Sequence, residues 1–156
     1  TEFVPLNMMN DQAQQDQYFM QKALDEAKLA LKKGEIPIGA VVVAQGQIIA
    51  RAHNMTEALT DVTAHAEMQA ITSAAHFIGG KYLKNCVLYV TIEPCQMCAG
   101  ALYWSQIDEV VYGARDQQRG CITMGTTLHP KTKFRGGIKE AEAGQLLVDF
   151  FKQRRK

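Results

Sequence analysis

The sequence has no apolar run long enough to cross a bilayer. The longest, Ile38 to Ala44, falls far short of the roughly 20 residues a spanning helix needs. Internal repeats and low-complexity tracts are also missing, and the chain has only 4 prolines. Four cysteines in 156 residues, Cys86, Cys95, Cys98 and Cys121, do not make a disulfide scaffold. A reducing, cytoplasmic compartment is the expectation, and there a close cysteine pair is more often metal-binding or catalytic. The polar, Gln-rich N-terminal region lacks the pattern of a secretory signal. Charge of one sign is lacking too, since the formal net charge is only +1.

The chain is long enough for one domain with a real core and too short for two ordinary ones, so residues 1–156 are expected to form a single domain. Residues 1–10 carry no fold signal and are expected to be disordered or in part vector-derived. Nearly half the residues are apolar and about a fifth are charged, as in soluble globular proteins. The charge is unevenly spread, at −4 over residues 1–26 and +5 over residues 131–156. Two readings of that basic end stand side by side. It is a local nucleic-acid contact, or it is a last helical turn whose Lys and Arg suit the helix dipole.

Hydrophobic spacing predicts the elements. Residues 15–34 read as a helix with Tyr18, Leu24, Ala27 and Leu31 on its apolar face and Gly34 as its stop. Residues 36–54 are β-branched and broken by Gln45-Gly46, as in two strands joined by a tight turn. Residues 63–80 read as a helix capped by Thr63 and stopped by Gly79-Gly80, with His76 packed inside. Residues 86–92 are a continuous apolar strand, buried on both faces. Pro94 then opens a helix at its first position, and residues 109–114 form a short strand. Residues 115–137 resist assignment, and a closing amphipathic helix follows. Strands alternating with helices after a hairpin imply a mixed sheet covered by helices, an α/β sandwich.

The chemistry lies in two blocks, His65-Ala66-Glu67 and Pro94-Cys95-Gln96-Met97-Cys98. His65 and Glu67 diverge by roughly 200° around a regular helix and can converge only at a helix end. Cys95 and Cys98, three apart, bring two sulfurs together at another helix start, where the positive helix end favours thiolate. One imidazole and two thiolates make three ligands. Catalytic zinc sites keep three protein ligands and leave the fourth place to water, whereas structural sites close with four. Glu67, near the metal without binding it, is suited to move protons. A redox cysteine pair would leave His65 and Glu67 unexplained, and a structural zinc site lacks an evident fourth ligand. Cys86 and Cys121 read as packed cysteines, although Cys121 could approach the site.

Histidine-x-glutamate followed by Pro-Cys-x-x-Cys is the signature of zinc-dependent nucleobase deaminases. From about Tyr18 to Arg155 the chain resembles the bacterial tRNA-specific adenosine deaminases. The resemblance rests on "GEIPIGAVVV", "HN" at His53-Asn54, "TAHAEMQAI", "LYVTIEPCQMCAGAL", "VVYGARD" and "DFFKQRR". It implies a cytidine-deaminase-like three-layer α/β/α sandwich, a homodimer and one zinc ion per subunit. It further implies that His65, Cys95 and Cys98 hold the zinc and that Glu67 shuttles protons. Asn54 and the backbone of Ala66 would face a flipped base. Lys152, Arg154 and Arg155 would contact the backbone of a tRNA anticodon loop, with Phe150 and Phe151 mostly packed. Recognition of such a loop rests on splayed bases, stacking and backbone charge.

The sequence departs from that family outside the metal shell. Val62 replaces a usual proline, Gln106 replaces a usual arginine, and the segment over residues 120–138 is short, so a final strand there is expected to be short or missing. "GALYW" also resembles guanine deaminases, although Tyr103 and Trp104 read as core or interface aromatics. Two other functions therefore stay in view. One is deamination of a free nucleobase or nucleoside of guanine or cytosine type, and the other is a non-catalytic, zinc-stabilised RNA-binding domain.

Overall fold

The computed structural model describes residues 11–154. Arg155, Lys156 and the expectation for residues 1–10 lie outside them. The order of elements is α1 (Gln12–Lys32), β1 (Gly39–Ala44), β2 (Gln47–His53), α2 (Ala66–Ile78), β3 (Cys86–Ile92), α3 (Gln96–Ser105), β4 (Glu109–Ala114), α4 (Cys121–Met124), β5 (Lys133–Arg135) and α5 (Glu140–Arg154).

The strands form one mixed sheet in the order β2-β1-β3-β4-β5. β1 is antiparallel to both β2 and β3, while β3–β4 and β4–β5 are parallel. The hairpin turns at Gln45 and Gly46, both at positive φ (52° and 73°), a pairing that suits the right-handed twist of flanking strands. Side chains alternate across the sheet. Ala40, Val42, Leu88, Val90 and Val110 pack with Ala66, Ala70, Ala74 and Leu102 of α2 and α3. Val41, Val43, Tyr89 and Val111 pack with Phe19, Met20 and Ala23 of α1. Leu24, Ile92, Ala114 and Ala143 extend that second layer toward α5. The central strands are thus apolar on both faces because helices cover both, giving the α/β/α sandwich. At Gly39 a Cβ would lie 2.1 Å from the Ala23 carbonyl oxygen, so α1 rests directly on the β1 backbone.

Several expectations need correction. The α1 core stripe is Phe19, Met20, Ala23, Leu24, Ala27 and Ala30, with Tyr18 only half-buried and Leu31 exposed. Helix α2 starts at Ala66, after an N-cap at His65. Thr63 instead bonds Asp61 through its backbone N–H and its hydroxyl, at 2.8 and 2.7 Å. Helix α3 is likewise capped by Cys95, which puts Pro94 ahead of the helix. His76 is exposed, because Ala66, Ala70 and Ala74 define the buried stripe of α2 and a residue two beyond Ala74 points away from it. The final strand is short, as expected, with three residues, and the Lys133 N–H donates to the Asp108 carbonyl at 2.9 Å.

Candidate metal and substrate site

The parallel strand β3 ends at Ile92 and delivers Glu93-Pro94-Cys95 to the C-terminal edge of the sheet, where sites in open α/β sheets collect. Residues 54–65, after β2, reach the same edge. His65 and Cys95 occupy equivalent positions. Each is an N-cap with extended backbone (φ −71°, ψ 156° and φ −73°, ψ 174°), and neither side chain caps its helix. An N-cap lies outside the helical spiral, so the divergence of His65 and Glu67 on a regular helix does not apply. The cap side chains, freed from capping, project beyond the helix ends toward each other.

The His65 Nδ1 lies 3.7 Å from the Cys95 Sγ and 3.5 Å from the Cys98 Sγ. The three donor atoms all fall within 4.8 Å of one another, and they are the one such group among the described residues. Two sulfurs and an imidazole nitrogen suit zinc, and three protein donors leave one coordination position open. The hydrogen bond from Cys98, together with that from His65, holds the Cys95 thiol down at about 4. The proton shared with Cys95, together with burial, pushes Cys98 the opposite way. One sulfur is thus poised as thiolate, and a dication among the three donors would draw the second to thiolate as well. His65 is raised, by its hydrogen bond with Cys95. The residues present therefore fit a zinc ion.

Glu67, at the second helical position of α2, is 4% exposed and is not one of the three donors. Burial pushes its carboxyl up to about 7, close to the pH at which an acid–base group works best.

An open pocket of about 510 Å³ lies beside the triad, lined by Ile36, Asn54, Thr56, Thr60, Val62 and His65 among others. Asn54 is buried, and its Oδ1 accepts the Thr56 N–H at 3.3 Å. It is a turn residue and a pocket residue at once, with its amide oxygen engaged. Ala66 is fully buried at the start of α2. Val62 is 81% exposed at the pocket rim.

The structure adds residues that the sequence reading left aside. The Glu35 carboxylate, 1% exposed, accepts the backbone N–H groups of Glu57 and Ala58 at 3.0 and 2.7 Å and so shapes the pocket wall. Gln69 donates to the carbonyl oxygens of His53 and Ala64 at 2.7 and 3.2 Å, tying the end of β2 to the approach to His65. Glu93 is buried between β3 and the cysteine pair. A lone glutamate abutting an apolar run, as in "GEIPIG" and "TIEPC", is the signal that could have marked Glu35 and Glu93.

Other expected residues lie apart from the donor triad. Cys121 is buried in α4 and outside the donor group. Trp104 is 76% exposed, which ends its reading as a core residue, and Tyr103 packs on Trp104 and His129 with centroids 5.6 and 5.4 Å apart. Phe150 is buried but Phe151 is 42% exposed. Lys152 and Arg154 are exposed at the end of α5.

Residues 13–114 match the family described as the cytidine and deoxycytidylate deaminase zinc-binding region. The tRNA-specific adenosine deaminase of Aquifex aeolicus is 46% identical over 145 residues, which are 89% of this chain and 95% of that protein. The enzyme of the same name from Bacillus subtilis is 45% identical over 148 residues, covering 91% of this chain and 92% of its own. Among solved structures, a deaminase from a study of A-to-I editing at the wobble position of transfer RNA superposes with a TM-score of 0.79 at 40% identity, covering 83% of this chain and 99% of its own. The guanine deaminase of Bacillus subtilis gives 0.63 at 37% identity, over 70% of this chain and 69% of its own.

Proposed function

The chain belongs to the cytidine and deoxycytidylate deaminase family, and from that premise we propose that it hydrolyses the wobble adenosine of transfer RNA to inosine. The observation that carries the chemistry is the convergence of His65, Cys95 and Cys98 beside a buried carboxylate, Glu67, that is not among the donors. A purely structural zinc site has no need of such an acid. The substrate rests on the two tRNA-specific relatives, which align over nearly the whole chain.

When bound, zinc supplies a Lewis acid that lowers the pKa of water at its open position to about 7. Glu67 takes a proton from the attacking water and passes it to the ring nitrogen next to C6 of adenine. It then takes the remaining proton from the oxygen added at C6 and delivers it to the departing amine, so that this oxygen becomes the carbonyl and water and adenosine become inosine and ammonia. Asn54, with its oxygen turned to Thr56, keeps its amide N–H groups for an acceptor on the flipped base. The Ala66 backbone, at the start of α2 next to His65, faces the base. The target base must leave the stack of the anticodon loop to reach this depth. Lys152, Arg154 and Arg155 contact the loop's phosphates. The enzyme works as a homodimer in the cytoplasm, and the exposed Trp104 on α3 is apolar surface of the kind an interface covers.

The test is a side-by-side assay of purified zinc-loaded protein on an anticodon stem-loop and on free guanine, the substrate of the structurally similar Bacillus subtilis enzyme. Inosine should form in the stem-loop while guanine is left untouched. Rapid guanine turnover with an inert stem-loop would reverse the substrate assignment and keep the chemistry.

A further inference from the structure

The Glu93 side chain is fully buried, and both its oxygens are used. One accepts from the Arg115 Nε at 2.8 Å and from the Asp116 N–H at 3.0 Å. The other accepts from the Ile122 N–H at 2.8 Å, with the Cys121 Sγ at 3.9 Å. Every donor belongs to one stretch, the loop after β4 and the start of α4. Backbone contacts run in parallel. The Glu93 N–H donates to the Ala114 carbonyl and the Cys121 N–H to the Pro94 carbonyl, at 2.8 and 2.9 Å, and Cys95 forms an isolated bridge with Gly120. Arg115 also donates to the Thr123 hydroxyl at 3.2 Å.

Gly120 shows how closely the two segments meet. A Cβ there would lie 2.4 Å from the Glu93 carboxyl carbon, so no larger residue fits while the carboxylate keeps its place. A buried charge is tolerated only when it is paired and fully hydrogen-bonded. This one is satisfied only if the 115–122 loop lies against the Pro94-Cys95 turn. The carboxylate therefore couples two segments more than 20 residues apart, one of which presents the metal-binding cysteines.

We propose that Glu93 is a positioning residue, whose buried carboxylate clamps the 115–122 loop onto the Pro94-Cys95 turn and so holds Cys95 and Cys98 in metal-binding geometry. The inference rests on the assignment of His65, Cys95 and Cys98 as the metal donors. Partners behind a metal's direct ligands typically set 10–100-fold in affinity. The effect is expected here because rotation of the turn would swing the Cys95 sulfur directly.

The test is Glu93→Gln. The amide keeps the shape but has one acceptor where the carboxylate has two, so its NH2 must face a backbone N–H. Zinc affinity is measured by competition with a chromophoric chelator. Site geometry is read from the ligand-field and thiolate charge-transfer bands of the cobalt(II)-substituted protein. The expected result is a protein with unchanged far-UV circular dichroism, zinc affinity weaker by about 10–100-fold and altered cobalt bands. Unaltered bands and affinity, with or without a lower Tm, would overturn the proposal and leave only a structural clamp. If wild-type protein shows no thiolate–cobalt bands, the metal assignment itself fails and the proposal with it. Should Glu93→Gln not fold, Arg115→Gln decides the matter. It removes one donor from a half-exposed side chain, and it should weaken zinc severalfold in the same direction. No change in zinc affinity in that variant overturns the proposal.

Discussion

Arg154 donates to the carbonyl oxygen of Gly34 at 2.6 Å, and its guanidinium lies over the Phe150 ring, 4.7 Å from the centroid. The last turn of α5 is thereby fastened to the end of α1. Arg154 thus has a structural task beside any contact with RNA, whereas Lys152 projects from the same helix end without a hydrogen bond among those described. The two should separate in experiment. Lys152→Ala should weaken stem-loop binding, lower the slope of log K against log salt by about 1 and leave Tm unchanged. Arg154→Ala should lower Tm by about 2 °C in addition to its effect on binding. Fluorescence titrations across a salt series and thermal melts check both. Equal salt slopes for wild type and Lys152→Ala would remove Lys152 from the RNA surface.

Glu67 is buried beside the donor triad but outside it. Glu67→Ala should therefore bind one zinc per chain, fold normally and lose at least about 10²-fold in kcat, the lower range for removal of a general acid–base group. Metal analysis, circular dichroism and single-turnover kinetics measure the three quantities. A variant that folds but binds no zinc would make Glu67 a ligand and refute the proton-shuttle role.

The parts of the site that were legible in the sequence are those where chemistry dictates residue type at fixed spacing. The convergence of His65, Cys95 and Cys98 could be read because a three-donor metal site accepts few alternatives, and Glu67 lies buried beside them. The strands were legible because β3 must be apolar on both faces. The helix starts were misplaced because capping preference was not what set them. His65 and Cys95 take the N-cap positions, where a Ser or Thr would ordinarily stand, and their side chains meet in the donor triad instead of capping the helices. Glu35 and Glu93 escaped notice because a lone glutamate usually reads as solvated surface. Their partners, the N–H groups of residues 57–58 and 116–122, are more than 20 positions away. The 115–137 region has no periodicity to read, since such tertiary hydrogen bonds hold its short elements.

Glu35 should bear on substrate binding rather than on the chemical step. Its carboxylate fixes the Glu57 and Ala58 amides, and with them the pocket wall that carries Thr56 and Thr60. Glu35→Ala should release that wall without touching the zinc donors. KM for the stem-loop should rise about tenfold while kcat changes less, the pattern for loss of uniform binding. Steady-state kinetics with parallel zinc analysis decide it. A fall in kcat at constant KM would mean that Glu35 acts on the reacting centre instead.

Asp16 and Arg135 join α1 to the edge strand β5. The guanidinium reaches both carboxylate oxygens, at 2.6 and 2.8 Å, and also the Glu109 carboxylate at 2.7 Å. Tyr89 adds its hydroxyl to Asp16 at 2.8 Å. Burial alone would raise the Asp16 carboxyl, but the hydrogen bonds from Arg135, Tyr89 and Gln12 outweigh it and hold the group below its ordinary value. The folded state therefore binds this proton less readily than the unfolded chain does, so stability rises with pH through the titration. The contribution is fully present above the unfolded value of about 4 and is lost as pH falls through the lower folded value. Arg135→Gln should cost about 2 kcal/mol near neutral pH, the range for hydrogen bonds to a charged group. Urea unfolding at neutral pH and again below pH about 4 should show the gap between wild type and variant narrowing in acid. A gap that stays constant across that range would mean that Arg135 acts through packing on β5 and not through the Asp16 charge.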